Sequence, residues 1–177
     1  MRLTLAALLC SLPMASFAAG SDDTEPPEPT ETTTKCTEAQ VWDAKQQKCV
    51  SAQSGSLDND TRFRAVRELA WAGQPEAALV VLDAMTEGET DRVLTYRGFA
   101  HRKAGRLEAG LDHYAHALEV NPDNILARSY LGQLLVEMGE VALARSQLDE
   151  IRARGGAGTW AEASLSRAVG TGETLSY

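Results

Sequence analysis

The residues of this chain that could carry out chemistry are few, and its histidines are the first to consider. The sequence contains 3 histidines, at His101, His113 and His116. His113 and His116 are three residues apart and would share one face of a helix, with Asp112 beside them. A metal site needs a further protein ligand, and the sequence places none nearby. The pattern therefore favours solvated or partly packed histidines. A metal-dependent enzyme that uses His113 and His116 is the alternative.

Other catalytic signatures are missing from the sequence. No serine stands in a Gly-x-Ser-x-Gly turn, which would expose it as a nucleophile. No glycine-rich loop leads into the lysine that a phosphate-binding loop requires. We therefore expect a protein that is not an enzyme and that holds no catalytic residue, no metal and no cofactor.

The cysteines predict a disulfide bond rather than a reactive site. Cys10 lies in an amino-terminal segment that is expected to be removed, which leaves Cys36 and Cys49. An even number of cysteines in an exported chain is typical of a disulfide. The bridge would close a loop of about 14 residues, which the chain-entropy model values at roughly 3 kcal/mol.

The segment between these cysteines predicts a small β-hairpin over residues 36–50. Val41 and Trp42 favour a strand, the polar residues after them favour a turn, and Val50 belongs to a second short strand. Trp42 allows two interpretations. It packs on the disulfide as a small core, or it stacks on a sugar ring and makes the hairpin a carbohydrate-binding element.

The amino terminus has the layout of a signal peptide for export. Arg2 supplies a positive charge, residues 3–12 form an apolar run, and Ser16 and Ala18 are the small residues that precede a cleavage site. The run is too short to span a bilayer, for which about 20 residues are needed. We expect residues 1–18 to be removed, which predicts a periplasmic or secreted protein without stable membrane insertion.

Residues 19–35 differ in composition from the rest of the chain. They are rich in acidic residues, prolines and threonines, including Asp22, Asp23, Glu25, Pro26 and Pro27. Such a segment has little apolar surface to bury, and its charges repel one another. We therefore expect a disordered acidic linker that acts as a spacer or gives reach from an anchor.

The composition of the whole chain excludes several classes of protein. Its 177 residues include 17 lysines and arginines against 25 aspartates and glutamates, which gives a formal net charge of −8. Nucleic acid is an unsuitable partner for such a chain, because phosphate binding depends on clustered positive charge. Hydrophobic residues make up 44% of the sequence, which is enough for a folded core. The length excludes large multidomain enzymes and polytopic membrane proteins.

The elements that must position these residues come from an internal repeat. An offset of 34 residues places Tyr96 on Tyr130 and Gly105 on Gly139. An offset of 32 residues places Gly73 on Gly105 in the same way. A period in this range is typical of stacked helical units, and three of them fit between residues 58 and 156.

Each unit is predicted to contain two amphipathic helices joined by a tight turn. In the middle unit the first helix is expected over residues 90–104 and the second over residues 107–120. Gly105 supplies the positive φ that ends the first helix. Asp123 is expected to cap the helix that follows.

Small, apolar and aromatic residues of the middle unit carry a family resemblance: Leu94, Gly98, His101, Gly110, Tyr114, Ala117 and Pro122. In type and spacing they resemble the tetratricopeptide repeat, a helix-turn-helix unit of 34 residues. The resemblance implies an all-α fold with three such repeats over residues 58–156 in a short right-handed superhelix. The small disulfide-closed hairpin would precede them.

Residues 157–177 are expected to close the array. Thr159 can cap a helix, and its apolar residues recur at helical spacing at Trp160, Leu165 and Val169. A terminal repeat leaves an apolar face that needs a cover. We therefore predict a capping helix followed by a frayed end from Gly170 onward.

In tetratricopeptide arrays the first helices of successive repeats line a concave groove, and the resemblance implies a peptide-binding groove here. Its residues would be Phe63, Arg67, Trp71, Arg92, Phe99, Arg102, Lys103 and Gln133. Arginine suits carboxylates, and aromatic rings anchor apolar side chains. The implied partner is a protein or peptide with acidic and apolar groups. Alternatively, these aromatic and basic residues have structural roles.

These features predict a non-catalytic scaffold for protein–protein interaction, exported to the periplasm or secreted, that binds a peptide segment during cell-envelope assembly. The alternative is an adaptor that targets cell-wall glycan through Trp42 of the hairpin. A metal-dependent enzyme is the third hypothesis.

Overall fold

The computed structural model of the protein describes residues 25–174, so the predicted signal peptide over residues 1–18 lies outside the described residues. This part of the chain is almost entirely helical, with one small hairpin. Its elements are α1 (Glu31–Thr34), β1 (Gln40–Asp43), β2 (Lys48–Ser51), α2 (Asn59–Trp71), α3 (Pro75–Asp83), α4 (Asp91–Lys103), α5 (Leu107–Val120), α6 (Ile125–Glu137), α7 (Val141–Ala153) and α8 (Trp160–Thr171).

The three predicted helix pairs are present as α2–α3, α4–α5 and α6–α7. Each pair turns at a glycine with positive φ, which is 73° at Gly73, 77° at Gly105 and 84° at Gly139. In each turn the residue after the glycine donates its amide to a carbonyl five residues earlier, at 2.8–2.9 Å. Such a bond satisfies a carbonyl that the end of the helix would leave unpaired. The repeat in the sequence is therefore a repeat of this turn.

Helix packing depends on glycine where two helices come closest. A Cβ placed on Gly98 of α4 would lie 2.6 Å from the ring of Tyr114 on α5. A Cβ on Gly132 of α6 would lie 2.5 Å from the side chain of Leu165 on α8. Glycine is unfavourable within a helix, so close packing compensates for it at these positions.

The helix caps confirm one prediction and correct another. Thr159 caps α8 as predicted, since its side chain accepts a hydrogen bond from the amide of Glu162. The prediction that Asp123 caps α6 is wrong, because the helix begins one residue later than assumed. Asn124 is the cap, and its side chain accepts a hydrogen bond of 2.8 Å from the amide of Ala127.

The capping helix covers the last pair. Leu165 of α8 is fully buried together with Leu148 and Ile151 of α7. The frayed end predicted from Gly170 is wrong for residues 170–174. Helix α8 continues to Thr171, and the Thr174 hydroxyl donates a hydrogen bond of 2.5 Å to Glu137.

The disulfide-closed hairpin is confirmed. Strands β1 and β2 pair antiparallel, with Val41 opposite Val50 and Trp42 opposite Cys49. Cys36 and Cys49 form the disulfide, with their Cα atoms 5.5 Å apart. The fold class is therefore the predicted one, helical repeats preceded by a small hairpin.

The hairpin is part of the helical body rather than a separate module. Val41 is 1% exposed and belongs to the same apolar cluster as α2 and the later helices. Arg62 of α2 is buried and donates hydrogen bonds of 2.8–2.9 Å to the carbonyls of Ala52, Ser54 and Leu57. A buried guanidinium needs such acceptors, so the loop after β2 and helix α2 stabilise each other.

The predicted linker over residues 19–35 is wrong for its second half. Residues 31–34 form the short helix α1, and Thr32 is 5% exposed. The Thr32 hydroxyl accepts a hydrogen bond of 3.3 Å from the amide of Trp42. The composition suggested that nothing here could be buried, but the threonines find polar partners on the folded body.

None of the helices within residues 25–174 is long and apolar enough to cross a membrane.

Candidate protein-binding face

The first helices of the pairs lie side by side, α2 against α4 and α4 against α6, and α8 continues the row beside α6. This row brings together aromatic rings that are far apart in the sequence. The ring centre of Phe99 lies 5.8 Å from Trp71 and 4.6 Å from Tyr130. The ring of Phe63 lies 5.3 Å from that of Tyr96. We refer to these five rings and the charged side chains among them as the inner face.

Trp160 is a residue of this face that the sequence reasoning placed only in the cap. Its ring centre lies 5.5 Å from Trp71 on α2 and 6.2 Å from Tyr130 on α6. The signal in the sequence was its position as the first residue of α8. If the repeat continued into a fourth unit, the first helix of that unit would begin there. The cap therefore extends the inner face as well as covering the last pair.

The structure places most of the predicted groove residues in the interior rather than on an open groove. Six of the eight are buried: Phe63, Arg67, Trp71, Phe99, Arg102 and Gln133. The two others, Arg92 and Lys103, are partly exposed. The six buried residues hold the first helices together, and Arg92 and Lys103 are the two predicted groove residues that solvent can still reach.

Arg102 is a buried cation of this face that pairs with an acidic residue of the next repeat, and its Nη1 is buried without a hydrogen-bond partner among residues 25–174. Its side chain is 1% exposed and donates hydrogen bonds of 2.9 and 2.7 Å to the two carboxylate oxygens of Glu137 on α6. Burial tends to raise the pKa of Glu137, but the bonds from Arg102 outweigh it and lower that pKa below its usual value. This pair joins α4 to α6 and leaves Arg102 little capacity for a ligand.

Two further predicted polar residues are engaged in the same way. Gln133 of α6 donates a hydrogen bond of 2.9 Å to the Ser164 hydroxyl on α8. Arg67 of α2 donates to the Tyr96 hydroxyl at 3.2 Å and to the backbone carbonyl of Glu25 at 2.6 Å. Arg67 thus links the first two repeats and also holds the segment before α1 through a hydrogen bond.

Arg92 and Lys103 place positive charge over aromatic rings at the two ends of α4. The guanidinium carbon of Arg92 lies 4.8 Å from the ring centre of Phe63, and the Arg92 side chain also pairs with Asp60 and Glu87. The ammonium of Lys103 lies 5.9 Å from the ring centre of Phe99. Burial, and then the nearby Arg102, lower the pKa of Lys103. The nearby carboxylate of Glu137 raises the pKa of Lys103 and offsets part of this effect.

The histidines do not form the metal site that the sequence left open. His113 of α5 stacks on His101 of α4, with 5.1 Å between ring centres. Arg106 donates a hydrogen bond of 2.9 Å to Nδ1 of His101. Among residues 25–174, no group of three or more His, Cys, Asp or Glu side chains is placed to hold a metal ion. The geometry favours a stacked structural pair.

A cavity of about 420 Å³ lies between the hairpin and the start of α2. Its lining includes residues from the segment before the hairpin, from β1, and from the start of α2 and the residue that caps it. Among them are Thr30, Trp42, Asp43, Asp58 and Arg64. Trp42 is half-buried, and the ammonium of Lys35 lies 4.9 Å from its ring centre. Asp43 is buried and its carboxylate accepts hydrogen bonds from the amides of Lys45 and Gln46. The lining thus combines an aromatic residue with charged and hydroxyl groups.

Comparison with known proteins identifies one family. Residues 101–163 match the family model described as tetratricopeptide repeat. This stretch runs from the end of α4 into α8 and includes the whole of the third helix pair. No curated protein and no solved structure matches the chain.

Proposed function

Since the chain is a tetratricopeptide repeat protein, we propose that it is a non-catalytic scaffold that captures a peptide segment of a protein partner at its inner face. Repeats of this family typically serve protein–protein interaction. We place the protein in the periplasm or among secreted proteins, in keeping with the signal peptide predicted from its sequence, and assign it to cell-envelope assembly.

The observation that carries this proposal is the chemistry of Lys103 and its surroundings. The lysine is half-buried, lies over the ring of Phe99, and has a lowered pKa because burial and Arg102 disfavour its charge. The ring of Phe99 contacts the rings of Trp71 and Tyr130, which belong to the aromatic cluster of the inner face. A carboxylate of a partner would contact Lys103, which is partly exposed, whereas Phe99, Trp71 and Tyr130 are buried. The acidic part of the predicted peptide therefore fits this site.

The proposal is tested by reversing the charge of Lys103. The mature protein and its Lys103→Glu variant are used as bait in extracts of the native envelope, with chemical crosslinking and quantitative mass spectrometry. We expect the variant to lose the partner that the unchanged protein captures, by about tenfold or more, because one favourable charge contact becomes a repulsive one.

A matched control is available in the hairpin. Lys48 is an exposed lysine of β2, so Lys48→Glu makes the same change of charge in an element that is not one of the first helices. Far-UV circular dichroism of both variants checks that the helices remain intact. Capture that survives Lys103→Glu, or that is lost equally in Lys48→Glu, would contradict the proposal.

A glycan-binding role is the second candidate, and the cavity beside Trp42 supports it. A half-buried tryptophan next to charged and hydroxyl groups is a suitable surface for a sugar ring. Retention on insoluble peptidoglycan or chitin, compared between the protein and Trp42→Ala, tests this role. Retention that is lost in Trp42→Ala and kept in Lys103→Glu would support glycan targeting. Passage of the unchanged protein through both matrices would rule it out.

A further inference from the structure

The segment before the hairpin lies against the first repeat at the edge of the inner face. We refer to residues 25–33 as the strap. The side chain of Arg67 donates a hydrogen bond of 2.6 Å to the backbone carbonyl of Glu25. Prolines of the strap then border a cavity of about 250 Å³ together with Trp71 of α2 and Ala72, which follows that helix. An extended acidic, proline-rich peptide therefore already contacts the face that we propose for peptide capture.

Glu68 of α2 fixes the other end of the strap. Its carboxylate accepts four hydrogen bonds, two from Thr30 and two from Thr33, in each case from the amide and the hydroxyl. Glu68 is 5% exposed, and a buried carboxylate needs donors to offset its loss of water. These donors come from residues more than 30 positions away in the sequence, so the strap and the site were brought together by folding.

The chemistry of this contact is that of peptide recognition. Arg67 contacts a backbone carbonyl, Glu68 contacts two backbone amides and two threonine hydroxyls, and the prolines line a cavity together with Trp71. Three of these contacts are therefore to the backbone of the strap. Trp71 stacks on Phe99, over which Lys103 lies. A chain of contacts therefore connects the strap with Lys103 through Trp71 and Phe99.

From this arrangement we propose that the strap is a built-in competitor for the peptide site. It occupies the first-repeat part of the inner face until a partner segment of similar chemistry, extended, acidic and rich in proline, displaces it. This inference rests on the proposed function, because it assigns the regulation of the same face. A segment tethered next to its site has an effective concentration in the millimolar range, so a partner must bind more tightly than the strap does or arrive when the strap is weakened.

The test uses the whole mature chain with a weakened strap. In the double variant Thr30→Ala, Thr33→Ala both hydroxyl bonds to Glu68 are lost, while α2 and the repeats keep all their own residues. The probe is a fluorescein-labelled synthetic peptide with the sequence of residues 25–35, and its binding is followed by fluorescence anisotropy. We expect the peptide to bind the double variant about tenfold or more tightly than the unchanged protein, because two hydrogen bonds to a charged group no longer hold the competitor.

Thr37→Ala is the matched control, because Thr37 is an exposed threonine outside the strap. Its affinity for the peptide should equal that of the unchanged protein. Hydrogen exchange at the amides of Thr30 and Thr33 reports the release of the strap directly and should become faster in the double variant only. Unchanged exchange, or equal peptide binding by the double variant and the unchanged protein, would overturn the inference, as would a peptide that binds neither.

The outcome also separates this inference from the proposed function. If the peptide result fails while partner capture still depends on Lys103, the inner face binds a partner without competition from the strap. If capture is independent of Lys103 but the peptide binds only the weakened chain, the strap contact is real and the proposed partner site is wrong.

Discussion

His101 of α4 and His113 of α5 stack on each other, and their surroundings disfavour the charged form of both imidazoles. Burial lowers the pKa of each imidazole, followed by Arg106 in the case of His101 and by His101 itself in the case of His113. Arg97 lowers both pKa values further, and nearby carboxylates offset only part of the effect. In the unfolded chain a histidine returns to a pKa near 6.5. The unfolded state therefore binds protons more readily than the folded one, so acid favours unfolding.

This difference predicts how stability depends on pH. The contribution of the pair is complete above pH of about 6.5 and is lost progressively as the pH falls from there towards the lower pKa values of the folded state. Urea unfolding of the protein and of His113→Gln, each at pH 7.5 and pH 5.5, measures it. We expect His113→Gln to lose less free energy of unfolding on acidification than the unchanged protein. His116→Gln, on the same helix but outside the pair, should behave like the unchanged protein, and a loss equal in all three would contradict the prediction.

Gly98 supports a second prediction at this scale. Gly98→Ala places a Cβ 2.6 Å from the fully buried ring of Tyr114, which has no room to move, so we expect the free energy of unfolding to fall by about 1–3 kcal/mol. Gly170→Ala is the control, since a Cβ at this helical position meets nothing within 4 Å. The control should raise stability by up to about 1 kcal/mol. Chemical denaturation measures both, and equal effects in the two variants would show that packing at Gly98 is not limiting.

At the scale of elements, the caps and turns decide where each helix stops. The bounds of α5 were predicted to the residue, because glycine and the Asn-Pro pair act locally on the backbone. The strap and α1 were missed, because what orders them is the carboxylate of Glu68, which lies 35 to 38 residues further along the chain. A segment whose composition cannot form its own core can still be ordered by hydrogen bonds to an acceptor on another element, here the Glu68 carboxylate.

The capping helix provides the prediction for this scale. Leu165 fills the space between Gly132 of α6 and the apolar side chains of Leu148 and Ile151 on α7. Leu165→Ala leaves a cavity there and should lower the free energy of unfolding by about 2–5 kcal/mol. Leu143 of α7, which is 52% exposed, gives the matched control Leu143→Ala, with an expected change of less than about 0.5 kcal/mol. Denaturant unfolding compares them, and a similar loss in both would mean that α8 does not cover the last pair.

At the scale of the whole molecule, one apolar cluster contains side chains of the hairpin, the first two helix pairs, α6, α7 and α8. Because this cluster joins all the repeats, the sequence predicted which residues would lie on the inner face but not how deeply they would be buried. Aromatic and basic positions follow from the repeat, whereas burial depends on how closely successive first helices approach. Arg102 illustrates the point, because its partner Glu137 belongs to the next repeat and closes over it.

The disulfide tests whether the hairpin and the helices form one cooperative unit. Because Val41 shares the helical core and Arg62 binds the loop after β2, the double variant Cys36→Ser, Cys49→Ser should destabilise the helices too, by about 2–4 kcal/mol. Thermal unfolding followed at 222 nm reports the helices and hardly at all the hairpin. We expect a single transition at a lower midpoint. A helical transition that does not move would mean that the hairpin unfolds independently.

The contact between Trp71 and Trp160 limits what evolution or design can do with this array. Linear repeat proteins can be lengthened by inserting units, because each unit contacts only its neighbours. Here the last residue of α2 contacts the first residue of α8, across the two repeats between them. An inserted fourth repeat would carry these two rings apart and expose both. The contact therefore couples the first repeat to the capping helix, and we expect that inserting a repeat would destabilise the protein at both ends of the array.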